Sequence, residues 1–148
     1  RFLWDQINKD RNPDDLVWGL SNDDMHHLFR DAFRNYQYFL MNDLTEEEFR
    51  YSFRKGSFYF CYEPNGSAIT RKHYGEAMTP KITDITVSDT LIQISAESFD
   101  TIEWINDKST VIATGSRIDI SSIDSNFVRA ELINEHGKSY TQPFGIQY

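Results

Sequence analysis

The densest group of residues able to do chemistry in this chain is Ser21-Asn22-Asp23-Asp24-Met25-His26-His27. Asp24 and His26 lie two apart, so on extended backbone both project to the same side. A carboxylate and an imidazole converging on one point suit zinc, manganese or iron. Two donors do not make a site, because a catalytic zinc takes about three protein ligands and keeps a position open for water. The other ligands must come from elsewhere. Spacing alone favours a simpler use, in which Asp23 or Asp24 caps the following helix and the histidines form its first turn. His73 and His136 fall in predicted loops or turns, which gives them little weight as ligands. The single cysteine, Cys61, lies in the run Ser57-Phe58-Tyr59-Phe60-Cys61-Tyr62 and reads as a small buried apolar residue, not a nucleophile.

Composition narrows the classes of partner. The 148 residues carry a net charge of -8 and no Lys/Arg cluster long enough to track phosphates, so nucleic acid is not the expected partner. Hydrophobic residues make up 39% and aromatic residues 15%, which supports a packed core dominated by large rings. One cysteine excludes an intrachain disulfide framework. No apolar run approaches the roughly 20 residues that a helical membrane span requires. The chain opens at Arg1 and runs directly into Phe2-Leu3-Trp4, which is the expectation for a fragment whose upstream part is missing.

The elements that must position the cluster divide the chain into two halves. Residues 1–63 read as mainly helical. Phe2, Leu3, Gln6 and Ile7 mark a short helix, and Asn12-Pro13-Asp14-Asp15 breaks it. Leu16-Val17-Trp18-Gly19-Leu20 reads as a fully buried strand, with the Asp/His cluster at its carboxyl end, where α/β architectures bind ligands. A helix is predicted from near His27 through Leu28, Phe29, Ala32 and Phe33, and Tyr36 to Met41 reads either as its end or as a short strand. Thr45-Glu46-Glu47-Glu48 has capping-box spacing for a further helix that Gly56 stops. Residues 64–79 read as a linker that includes Arg71-Lys72-His73-Tyr74, to which no role is assigned. From residue 80 to 148 about seven short alternating runs, separated by turn signals, predict an immunoglobulin-like antiparallel β-sandwich with Trp104 in its core.

Trp4-Asp5 on a helix, then Val17-Trp18-Gly19, then Asp23-Asp24-Met25-His26-His27, resembles the end of a PHP-domain barrel, the polymerase and histidinol phosphatase type of metal-dependent phosphoesterase. Arg54-Lys55-Gly56-Ser57-Phe58-Tyr59 is similar to that family's closing helix, glycine stop and aromatic strand. Ile102-Glu103-Trp104-Ile105, Val128-Arg129-Ala130-Glu131-Leu132 and Thr141-Gln142-Pro143-Phe144 resemble relatives with a β-sandwich appended to the barrel. The fold so implied is α+β: a mainly helical C-terminal barrel remnant with one or two short strands, then the sandwich.

The resemblance implies that Asp24 and His26, matching the family's D-x-H motif, are metal ligands of a multinuclear centre. His27 and Asp23 become groups that hydrogen-bond the metal ligands or touch the substrate. It further implies hydrolysis of a small-molecule ester by divalent metal ions in the intact protein, with the fragment itself inactive. The family's early H-x-H, further histidines and bridging glutamate have no counterpart here, and a doubled acid stands where the family often has one small residue. The competing expectation is a non-catalytic sandwich that binds carbohydrate or protein, with Asp24 as a helix cap. A barrel remnant would also expose Leu16 to Leu20, favouring self-association or tight packing on the sandwich.

Overall fold

The computed structural model describes residues 2–67 and 77–147. In chain order the elements are α1 (Phe2–Lys9), α2 (Leu28–Asp31), β1 (Asn35–Phe39), α3 (Glu46–Lys55), β2 (Phe58–Tyr62), β3 (Lys81–Val87), β4 (Leu91–Glu97), β5 (Thr101–Asn106), β6 (Val111–Thr114), β7 (Arg117–Asp119), β8 (Phe127–Asn134), β9 (Gly137–Thr141) and β10 (Phe144–Gly145). Strands β1, β2, β9, β8, β5 and β6 lie side by side in one sheet, with β10 also pairing with β8; β3, β4 and β7 form a second. All pairings are antiparallel.

Alternation along the strands builds one core between the sheets. Tyr59, Cys61, Ile102, Trp104, Val128, Ala130 and Leu132 come from the large sheet and Ile82, Ile92, Ile94 and Ile118 from the small one. Trp104 is fully buried, and its indole N–H donates to the Gly115 carbonyl at 2.8 Å, so the ring is buried without an orphaned donor. The runs expected between residues 80 and 148 all form strands, the last divided into β9 and β10 by Gln142-Pro143.

The predicted barrel remnant is overturned. The chain is dominated by two antiparallel sheets, and residues 35–39 and 58–62 are strands of the same sheet as β5, β8 and β9. Tyr36 and Tyr38 pack against the core while Phe58 and Phe60 point the other way, a period of two that suits a sheet and not a helix. The helix predicted from His27 shrinks to the single turn of α2, after which Phe33 takes φ 67°. Two helices form where expected: α1, ahead of the Asn12-Pro13 break, and α3. Thr45 accepts from the Glu48 N–H at 3.2 Å, but its own N–H donates to Asp43, so one half of the capping box is made. Gly56 closes the helix at φ 70°.

Leu16–Leu20 is not a strand either. It is an extended strap laid across the outer face of the large sheet, with Leu16 buried but Val17 and Leu20 exposed. Its main chain is satisfied by side chains. Asn8 bonds both the N–H and the carbonyl of Val17, and Gln142 does the same for Gly19, at 2.7 and 2.9 Å. Those amides replace the ladder a strand would have had.

Candidate functional site

The Asp/His cluster occupies the loop between the strap and α2, and the four predicted residues have different surroundings. Asp23 is half-buried, and its carboxylate accepts three backbone N–H groups, from Phe33 at 2.6 Å, Arg34 at 2.9 Å and Asn35 at 2.6 Å. It therefore ties the loop to the start of β1. Ser21 reinforces the tie by donating to the Asn35 side-chain oxygen at 2.8 Å, and the Gln37 amide bonds the Ser21 carbonyl. The carboxylate that serves the next turn is Asp31, which accepts from the N–H groups of His26 and His27 at 3.2 and 2.9 Å. The Arg30 guanidinium, followed by those two N–H groups, holds the Asp31 carboxyl well below the usual carboxylate range.

Asp24, His26 and His27 are exposed. Asp24 takes φ 47°, so the extended backbone that would put it on the same side as His26 is broken at Asp24 itself. Asp24 caps no helix: the residue ahead of α2 is His27, which makes no side-chain cap. The His26 ring nitrogen Nδ1 instead bonds the Asp24 carbonyl at 2.8 Å. Among the described residues no group of three or more His, Cys, Asp or Glu side chains is placed to hold a metal ion. Two exposed donors fall short of the about three a catalytic zinc needs, so the described residues do not fit a metal centre by themselves. His136 lies in the β8–β9 turn, with its Nε2 at 3.5 Å from Glu135. His73 lies outside the described residues. Cys61 is buried, its Sγ 3.2 Å from Ser139 Oγ.

Sequence reasoning missed the most strongly built polar site. Asp5 on α1 and Arg129 on β8 are fully buried and joined by two bonds, Arg129 Nε to Asp5 Oδ1 at 2.6 Å and Nη2 to Oδ2 at 2.8 Å. Arg129 Nη1 also reaches Glu131 at 2.8 Å, Ser109 donates to Asp5 at 2.7 Å, and Lys138 lies 3.4 Å from Glu131. Burial works against the charge on Arg129, but the hydrogen bonds and charges of Asp5 and Glu131 outweigh it and raise its pKa. The guanidinium also lies 5.3 Å from the centre of the Trp4 ring. Alternation along β8 correctly points Arg129 and Glu131 away from the core. What it does not reveal is that α1 covers them.

Beside this cluster, on the same outer face, lies a cleft of roughly 250 Å³ lined by Trp4, Gly19, Leu20, Ser21, Phe60, Tyr62 and Tyr140. Phe60 and Tyr140 are cross-strand neighbours stacked 5.0 Å apart, and Trp4 meets Phe60 edge-on at 5.5 Å. The Trp4 indole N–H donates to Val17 at 2.8 Å, fixing that ring against the strap. Gly19 is required for the close approach, since a Cβ there would lie 2.6 Å from Phe60 and 2.9 Å from Trp4. None of the described residues that line it is charged.

Comparison of the chain with family models, with curated proteins and with solved structures finds no match in any of the three.

Proposed function

We propose that this chain is a non-catalytic β-sandwich interaction module in which the segment from Asp23 to His27 is scaffold. The observation that carries this reading is the Asp23 carboxylate, occupied by three backbone N–H groups. With three of about four acceptor positions taken by main-chain donors, the carboxylate is a positioning device for the loop. Asp31 does the same for His26 and His27. Asp23 and Asp31 are thus accounted for by the turn they build, with Asp24 and His26 exposed beside it. Chemically distinctive surface lies instead on the outer sheet face, where rings from α1, β2 and β9 meet beside the strap. The test is turnover: with zinc, manganese or iron supplied, the chain should hydrolyse p-nitrophenyl phosphate no faster than the metal alone. Turnover that disappears in Asp24→Ala and His26→Ala would overturn the reading.

A second reading keeps the PHP resemblance, with Asp24 and His26 as one corner of a phosphoesterase metal centre whose other ligands lie beyond this sequence. The observation in its favour is that the exposed Asp24 carboxylate makes no hydrogen bond among the described residues and is free to bind. Metal content of the longer protein this reading requires, compared with its Asp24→Ala variant, would test it.

A further inference from the structure

We infer that the aromatic cleft between Trp4, Tyr62 and Tyr140 is a binding site for one neutral pyranose ring of a glycan; the inference rests on the module reading. Size comes first. At roughly 250 Å³ the cleft is smaller than the ~300–1,000 Å³ typical of drug-sized ligands, so it holds a single ring and not an extended molecule.

Charge comes second. The chain carries a net charge of -8, yet none of the described residues lining the cleft is charged, and the nearby Arg129 is neutralised by Asp5 and Glu131. An uncharged site matches an uncharged ligand, since an ion would lose hydration with no partner to replace it.

The unspent polar groups decide among neutral rings. Trp4 has committed its N–H to Val17, and Gly19 has committed both main-chain groups to Gln142. Leu20, by contrast, makes no main-chain hydrogen bond among the described residues, and neither does the hydroxyl of the exposed Tyr62. The cleft is therefore lined by aromatic rings and offers unspent polar groups on Leu20 and Tyr62. A purely apolar side chain would leave those groups unanswered. A pyranose presents a C–H face to the rings, whose π clouds are electron-rich, and hydroxyls to Leu20 and Tyr62.

The walls are also preorganised. The Phe60–Tyr140 stack, the Gly19 contact and the Gln142 clamp are in place before any ligand arrives, which lowers the ordering cost of binding.

The experiment is saturation-transfer difference NMR on the full chain with a panel of neutral methyl pyranosides of gluco, manno, galacto and N-acetylglucosamine type. At least one should receive saturation mainly through the C–H groups of one ring face. Tyr62→Ala, a change at an exposed rim position, should weaken that ligand about tenfold or more, and Tyr62→Phe should weaken it less. Absence of transfer to every pyranoside, or binding unchanged in Tyr62→Ala, would overturn the inference. Failure of the module reading would show differently, as metal-dependent turnover lost in Asp24→Ala.

Discussion

Asp5 and Arg129 are separated by 124 positions in the chain and meet as a fully buried bidentate pair, at 2.6 and 2.8 Å. The pair fastens α1 to the outer face of the large sheet. It does so with the helix's polar side, so Asp5 and Asn8 are buried while Leu3 and Ile7 are exposed. Removing Arg129 leaves Asp5 and Glu131 without their buried cation, and removing Asp5 leaves the Nε and Nη2 donors of Arg129 unanswered in a site closed to water. Asp5→Ala or Arg129→Ala is therefore expected to cost about 3–5 kcal/mol. Equilibrium urea unfolding of the two variants checks this. A loss below about 1 kcal/mol, on the scale of an exposed ion pair, would show that α1 is not held this way.

The two adjacent aspartates should behave oppositely. Asp23→Ala removes the acceptor for the N–H groups of Phe33, Arg34 and Asn35 and is expected to cost about 2–3 kcal/mol. Asp24→Ala alters an exposed residue and is expected to cost about 1 kcal/mol at most, because φ 47° suits Asp better than Ala. Thermal or urea unfolding of the pair reads the difference. The reverse order would transfer the structural role to Asp24.

Alkaline pH should weaken the fold through two tyrosines. Burial, chiefly, pushes the phenols of Tyr36 and Tyr59 above their ordinary range; Tyr36 also donates to Glu63 at 2.8 Å. The unfolded chain ionises near pH ~10 while the folded chain keeps these protons. Their stabilisation is thus complete below about pH 10 and lost progressively as the pH rises above it. Unfolding free energy measured between neutral pH and pH ~11 should fall, and Tyr59→Phe should reduce the fall. A flat profile would contradict the burial of these phenols.

The strap gives a steric prediction. Gly19→Val would place side-chain atoms against Phe60 and Trp4, where a Cβ alone comes within 2.6 and 2.9 Å. Overpacking of this kind costs about 1–3 kcal/mol. The near-ultraviolet circular dichroism of the aromatic rings should change with it. An unchanged spectrum and midpoint would mean that the strap lifts from the sheet without cost.

Much of the β architecture was legible because alternation is a local property. Ile92 and Ile94, or Val128, Ala130 and Leu132, announce a buried face by spacing alone. Thr45 and Gly56 mark the ends of α3 for the same reason. The first half was misread where local pattern and long-range partner disagree. Leu16 to Leu20 has a strand's composition, but Asn8 and Gln142 meet its main chain from distant parts of the sequence. Asp23 and Asp24 are chemically identical in sequence, and only the fold shows that one accepts from three amides while the carboxylate of the other makes no hydrogen bond among the described residues. Asp5 and Arg129 carry no spacing signal at all, because a pair 124 residues apart is created by topology.

Isothermal titration of zinc and of manganese into the chain tests the scaffold assignment most directly, with Asp24→Ala/His26→Ala as the comparison. The scaffold account predicts no saturable, stoichiometric binding at micromolar metal and identical traces for the two proteins. Stoichiometric binding to the unaltered chain that vanishes in the double variant would contradict it and return Asp24 and His26 to the role of metal ligands.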